Sequence, residues 1–102
     1  MEYEMETEVV SLTPNDFVHI NVCGHKYVIL QKTLERFPMT LLGNRTKRED
    51  HYVDFLSAYY FDVNREVFES VLYYYQSNGS LVRPSNIPMD LYARGLYLCT
   101  GQ

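Results

Sequence analysis

A mixed α/β domain, with a small sheet and short helices packed on it, is the fold class this sequence predicts. Three observations carry it. In Phe17–Val22 the β-forming Phe17, Val18, Ile20 and Val22 are interleaved with polar His19 and Asn21, the pattern of a half-buried strand. A second β-rich run, Lys26–Leu30, follows a Cys23-Gly24-His25 turn, which reads as a hairpin with Gly24 supplying a positive φ. Farther on, Val67, Phe68, Val71, Leu72 and Tyr75 fall at one-face helical spacing. Strands and an amphipathic helix on one short chain have to share a single core.

The remaining elements follow in order. A short helix is expected near Lys32–Phe37, stopped by Pro38, because a residue before proline is pushed out of the helical region. Thr40-Leu41-Leu42 predicts another helical turn, ended by Gly43-Asn44. A polar loop spans 44–50. Tyr52-Val53-Asp54 and Tyr59-Tyr60-Phe61 read as short strands. The main helix covers about 64–77, with Asn64 as N-cap and Asn78-Gly79 as its end. Leu81-Val82-Arg83-Pro84 is an extended exit, and a last helix starts near Pro88 with Met89, Tyr92 and Leu96 on its apolar face. The order is strand–strand–helix–helix–strand–strand–helix–helix.

Composition limits the function. At 102 residues the chain suits one domain, read as a flexible acidic tail over 1–15 and a folded unit over 16–102. A formal net charge of −4 argues against nucleic acid, which needs a clustered cationic surface. The one basic cluster, Arg45-Thr46-Lys47-Arg48, runs straight into Glu49-Asp50 and reads as a solvated loop. The alternating acidic start, Met1 to Glu8, lacks the basic and apolar parts of a secretory signal. The chain also has no apolar run of the roughly 18 residues that a membrane helix needs. A cytoplasmic segment without direct membrane contact is therefore expected.

No catalytic constellation emerges. His19, His25 and His51 lack metal-ligand spacing, Gly24 and Gly43 stand alone, and there is no Gly-x-Ser-x-Gly elbow. No metal, cofactor or enzymatic activity is expected. Cys23 and Cys99 read as free thiols of a reducing compartment, with Cys23 at a strand end facing the core, although spacing leaves a disulfide between them open. Tyr73-Tyr74-Tyr75 is unusual, since three consecutive helical residues cannot share one face. Tyr75 continues the apolar face. Tyr73 and Tyr74 either pack at its rim or meet a neighbouring subunit.

Several stretches carry a family likeness. Asn21-Val22-Cys23-Gly24 and Lys32 through Asn44 (KTLERFPMTLLGN) resemble the opening half of a potassium-channel tetramerization domain. Tyr59 through Phe68 (YYFDVNREVF) resembles its central strand and main helix start. Val71 through Pro84 (VLYYYQSNGSLVRP) and Asn86-Ile87-Pro88-Met89-Asp90 are similar to the Shaker-type voltage-gated branch. The likeness runs from about Phe17 to Leu91. It implies a BTB/POZ-like α/β fold and a cytoplasmic ring of four copies that selects which channel subunits co-assemble. The implied partners are the chain itself, related channel subunits and cytoplasmic auxiliary subunits. By position it implies subunit-interface roles for Asp62, Arg65, Asn64, Gln76, Ile29, Lys26 and Asn44.

The likeness has departures. Ile29 stands where the family places a Thr at the subunit boundary, which implies a less polar interface or altered partner preference. Ser57-Ala58-Tyr59 replaces a more charged stretch, and Arg94-Gly95 replaces a pair of acids in the last helix. Gly95 would weaken a helix interior by about 1 kcal/mol against Ala. The zinc-binding His and Cys cluster of the non-Shaker branches is absent from the matching positions. An alternative within the fold is a stand-alone or ubiquitin-ligase-adaptor BTB protein that oligomerises and recruits a partner.

Overall fold

The computed structural model describes residues 12–100, so most of the expected acidic tail, 1–11, lies outside the described residues. A 3₁₀ turn, Pro14–Asp16, leads into strand β1, Phe17–Val22. Strand β2, His25–Leu30, returns antiparallel with Val22 opposite His25. The loop between them is only Cys23-Gly24, one residue shorter than expected, with φ of 52° and 94°. Two successive positive φ values match the twist of paired strands, and Gly24 tolerates its value at no steric cost. Asn21 Oδ1 accepts the Gly24 N–H at 2.6 Å and holds the turn from within.

The sheet order is β2-β1-β4-β3. Strand β4, Ala58–Phe61, lies parallel to β1, and β3, Tyr52–Val53, pairs antiparallel with β4. A parallel neighbour requires a crossover, and the segment from Gln31 to Asp50 supplies it. Helix α1 spans Gln31–Leu34, shorter than the expected Lys32–Phe37. Pro38 disfavours helix at Phe37, and the backbone leaves helical geometry through successive turns.

Thr40-Leu41-Leu42 is not helical. Thr40 Oγ1 donates to Phe37 O at 2.7 Å and accepts the Gly43 N–H at 3.0 Å, so a side chain takes over bonds a helix would make. The helical turn falls later, in α2, Arg45–Glu49, within the stretch expected to be a loop. Asn44 starts this helix by accepting the Lys47 N–H at 3.0 Å.

Within α2 the solvated-loop expectation fails at Arg48, which is 1% exposed. Its Nη1 donates to Leu42 O at 2.6 Å, its Nη2 reaches Glu35 Oε2 at 3.2 Å, and its guanidinium lies 5.7 Å from the Tyr59 ring centroid. These partners make burial of the charge tolerable, although Nε has no hydrogen-bond partner.

Helix α3, Arg65–Gln76, covers the inner face of the sheet. Asn64 caps it by accepting the Val67 N–H at 3.0 Å. Val67, Phe68, Val71 and Tyr75 are buried as the periodicity requires, and Leu72 is only partly so. Phe68, Val71 and Tyr75 meet Val18, Ile20, Val22, Ile29 and Phe61 from the sheet and Leu34, Leu41, Leu42 and Leu98 from the surrounding segments, while Val67 packs with Ile87 and Tyr92. The extended exit holds to the helix by Ser70 Oγ, which donates to Val82 O at 2.6 Å.

Helix α4, Met89–Gly95, continues into a 3₁₀ turn, Leu96–Cys99. Met89 does not join its apolar face. It is 60% exposed in the first turn, while Tyr92 and Gly95 are buried. Gly95 explains itself through packing: a Cβ there would lie 2.5 Å from Val67 Cγ1, so only glycine lets α4 approach α3 this closely.

Candidate functional site

The tip of the β1–β2 hairpin and the turn from β4 into α3 meet on one surface. The Cys23 thiol donates to Asp62 Oδ1 at 3.2 Å and lies 3.5 Å from Val63 O. Cys23 is therefore exposed beside a carboxylate, not turned into the core as expected. In a two-residue hairpin loop neither central side chain is part of the pleat, so alternation cannot place it in the core. The hydrogen bond from the thiol to Asp62, with lesser help from burial and from the Asp62 charge, pushes its pKa above the usual thiol value. A thiol held protonated is the reverse of an activated nucleophile. Cys99, also free, is buried, and burial pushes its thiol up to about 11.

Asp62 and Arg65 are exposed at the two ends of this turn, with Asn64 half-buried between them. Asn64 spends its side-chain oxygen on the helix cap, so its position is fixed. Across the hairpin the Tyr27 hydroxyl donates to Glu69 Oε2 at 3.0 Å, and its ring lies 4.8 Å from Phe68. Burial first, then Glu69, hold the Tyr27 phenol above its usual pKa, with Arg65 acting in the opposite direction. Lys26 is exposed next to it. Asp62, Asn64 and Arg65 thus belong to one polar region at the start of α3, whereas Lys26, one position from Tyr27 on β2, projects to the opposite face of the sheet with Val28.

The other residues implied by resemblance lie elsewhere. Gln76 is exposed at the far end of α3, about 16 Å along the axis from Arg65 at a rise of about 1.5 Å per residue. Asn44 is committed to capping α2, and its Nδ2 donates to Pro38 O at 3.4 Å. Ile29 is 6% exposed, opposite Val18 in the sheet, and its side chain is part of the protomer's own core. Its neighbour Val28 points the other way and is 56% exposed.

The tyrosine run separates into three environments. Tyr75 is buried, its hydroxyl 2.6 Å from both Thr40 Oγ1 and Leu98 O. Tyr74 packs at the rim, 4.9 Å from the Phe37 ring. Tyr73 is 49% exposed and lines an open groove of about 440 Å³ with Glu66, Glu69, Val82 and Pro84.

A cleft of about 500 Å³ adjoins the polar region, lined among others by Cys23, Asp62, Asn64, Leu91, Arg94 and Tyr97. Nothing in the sequence pointed to it except the departure at Arg94-Gly95. Arg94 reaches Asp90 only at 3.9 Å, and both are largely exposed, so this pair contributes little to stability. The cleft carries an acid on one rim and a base on the other. An exposed carboxylate and an exposed guanidinium beside a thiol suit recognition by complementary polar groups.

Comparison with known proteins gives a consistent outcome. A profile described as BTB/POZ domain matches residues 18–97. Potassium voltage-gated channel subfamily A member 10 of Homo sapiens is 44% identical over 79 residues, 78% of this chain and 16% of that protein. Subfamily A member 4 of Homo sapiens is 47% identical over 75 residues, 74% of this chain and 12% of that protein. Subfamily A member 2 of Mus musculus is 45% identical over 76 residues, covering 74% and 15%. The chain therefore spans about a sixth or less of the length of these relatives.

Proposed function

We propose that this chain, which belongs to the BTB/POZ domain family, is a self-assembly domain that forms a tetramer and selects subunits for a voltage-gated potassium channel. The observation that carries the reading is 44–47% identity over about three quarters of the chain to proteins named as subfamily A channels. The family match over residues 18–97 takes in β2, β3, β4, α3 and α4 and most of β1. The family and these relatives mark a domain with no enzymatic activity. The mixed four-stranded sheet with short helices is the α/β fold read from the sequence.

The polar region around Asp62 and Arg65 supports assembly with discrimination. Charges on a rigid turn reject a mismatched neighbour by leaving groups unpaired, whereas an apolar patch binds with less selectivity. In this reading Asp62, Arg65 and Asn64 form one part of the contact, and Lys26, Gln76 and Asn44 contribute from other parts of the surface. Ile29 acts from within the protomer by setting the strand that presents Val28. Partners are further copies, related channel subunits and cytoplasmic auxiliary subunits, and the domain works at the cytoplasmic face of the membrane. Among the described residues no helix is long and apolar enough to cross a membrane.

Co-purification of two differently tagged copies tests this reading, with the matching region of subfamily A member 4 as a third component. Mixed complexes are expected with both. Recovery of each tag alone would contradict the assembly role, and mixing only between copies of this chain would contradict selection of related subunits.

A further inference from the structure

We infer that Asn78 is a site of covalent modification by deamidation, with a rate set by the closure of the α3 C-terminus. Asn78 is exposed and followed by Gly79, whose missing side chain leaves its backbone nitrogen free to approach the Asn78 amide carbon. In the reaction that nitrogen loses its proton to solvent base and attacks Cγ. The Cγ–Nδ2 bond breaks, ammonia leaves, and a cyclic imide forms. Water then opens the imide at either carbonyl, giving aspartate or isoaspartate. Only water is consumed, so no further reactant is needed.

The fold holds both reacting groups. Asn78 Oδ1 accepts from Arg36 Nη2 at 2.7 Å. The Gly79 N–H donates to Tyr74 O at 3.2 Å, a bond of the kind that closes helix C-termini. Arg36 Nη1 donates to Tyr75 O at 3.1 Å, so the same guanidinium binds the helix end and the reactive amide. Ser80 N–H donates to Ser77 Oγ at 3.0 Å and tightens the turn. The Gly79 N–H engaged with Tyr74 O must give up that bond before the nitrogen can lose its proton and attack. Attack therefore waits until the last turn opens, an event of low local stability at an exposed helix end.

The products differ in what they preserve. Aspartate keeps its oxygens where Asn78 Oδ1 stands, and Arg36 would then make a charge-assisted bond. Isoaspartate inserts a methylene into the backbone and cannot keep both the Arg36 and Tyr74 bonds.

The test follows deamidation of the full chain by peptide mapping at neutral pH, native and in guanidinium. Modification at Asn78 is expected in both, roughly tenfold slower in the native protein. Arg36→Ala should recover most of the denatured rate, provided its circular dichroism matches the parent, and Arg36→Lys serves where it does not. Asn78→Asp should melt within a few degrees of the parent. Absence of modification at Asn78 in the denatured chain, equal native and denatured rates, or a native rate unmoved by the Arg36 variants would overturn the inference. A large melting loss in Asn78→Asp would overturn the retention of aspartate by Arg36.

Discussion

The Cys23 thiol donates to Asp62 Oδ1 at 3.2 Å, which ties the tip of the β1–β2 hairpin to the turn that launches α3. Two segments far apart in sequence therefore meet on one surface. Since Asp62 and Arg65 are exposed, little of the protomer's own stability depends on them. Asp62→Ala and Arg65→Ala should each change protomer stability by no more than about 0.5 kcal/mol and leave the helical signal intact. Each should nonetheless raise the tetramer dissociation constant at least tenfold, measured by sedimentation velocity across a dilution series. Unchanged association in both variants would place the contact elsewhere.

Arg48 is expected to matter to folding more than any other charged residue. Its two Nη atoms are paired with Leu42 O and Glu35 inside the protein. Arg48→Ala should cost about 3 kcal/mol in urea unfolding, the range for breaking a buried paired charge. Arg48→Lys should recover little, because an ammonium cannot reproduce a two-armed contact. Glu35→Ala should also be clearly destabilising, because it leaves the buried Arg48 charge without its counterion.

Gly95→Ala should destabilise the protein although alanine is the better helix former. Helix propensity favours the change by about 1 kcal/mol, but the added carbon would sit 2.5 Å from Val67 Cγ1. Overpacking of this kind costs about 1–3 kcal/mol, so the net effect is a loss. The double variant Gly95→Ala, Val67→Ala should be less destabilised than the two separate losses added together. Additive losses in thermal melts would show that the two positions do not press on each other.

Stability should fall on the alkaline side. Burial raises the Cys99 thiol from an ordinary 9.0 to about 11, so the folded state holds this proton more tightly than the unfolded chain. The contribution is complete below pH 9 and is lost progressively as pH rises toward about 11. Burial raises Tyr75 in the same direction and extends the loss to higher pH. Urea unfolding followed across this window should show the decline, and Cys99→Ala should make the part between pH 9 and 11 shallower, with Cys23 and Tyr27 carrying the remainder.

How much of this was legible depended on whether local pattern or distant partners decide an element. β1 and α3 were legible because Val18, Ile20 and Val22, and then Val67, Phe68, Val71 and Tyr75, repeat at the periods that one buried face imposes. The crossover was not. Thr40 uses its hydroxyl to replace helical bonds, and Arg48 is buried through Leu42 O and a residue 13 positions away. No local signal in a polar, charged stretch announces such partners. Cys23 was misplaced because alternation was carried into a two-residue loop where it no longer applies. The polar surface at Asp62 and Arg65 came from family resemblance; physical reading alone identified the cap at Asn64 and the absence of a catalytic motif. Gly95 looked like a weak point in a helix until Val67 gave it a packing role.

Size-exclusion chromatography with light scattering tests assembly most directly. At micromolar concentration in neutral buffer the account predicts a mass four times the 12.0 kDa of one chain. A single peak at 12.0 kDa would contradict it.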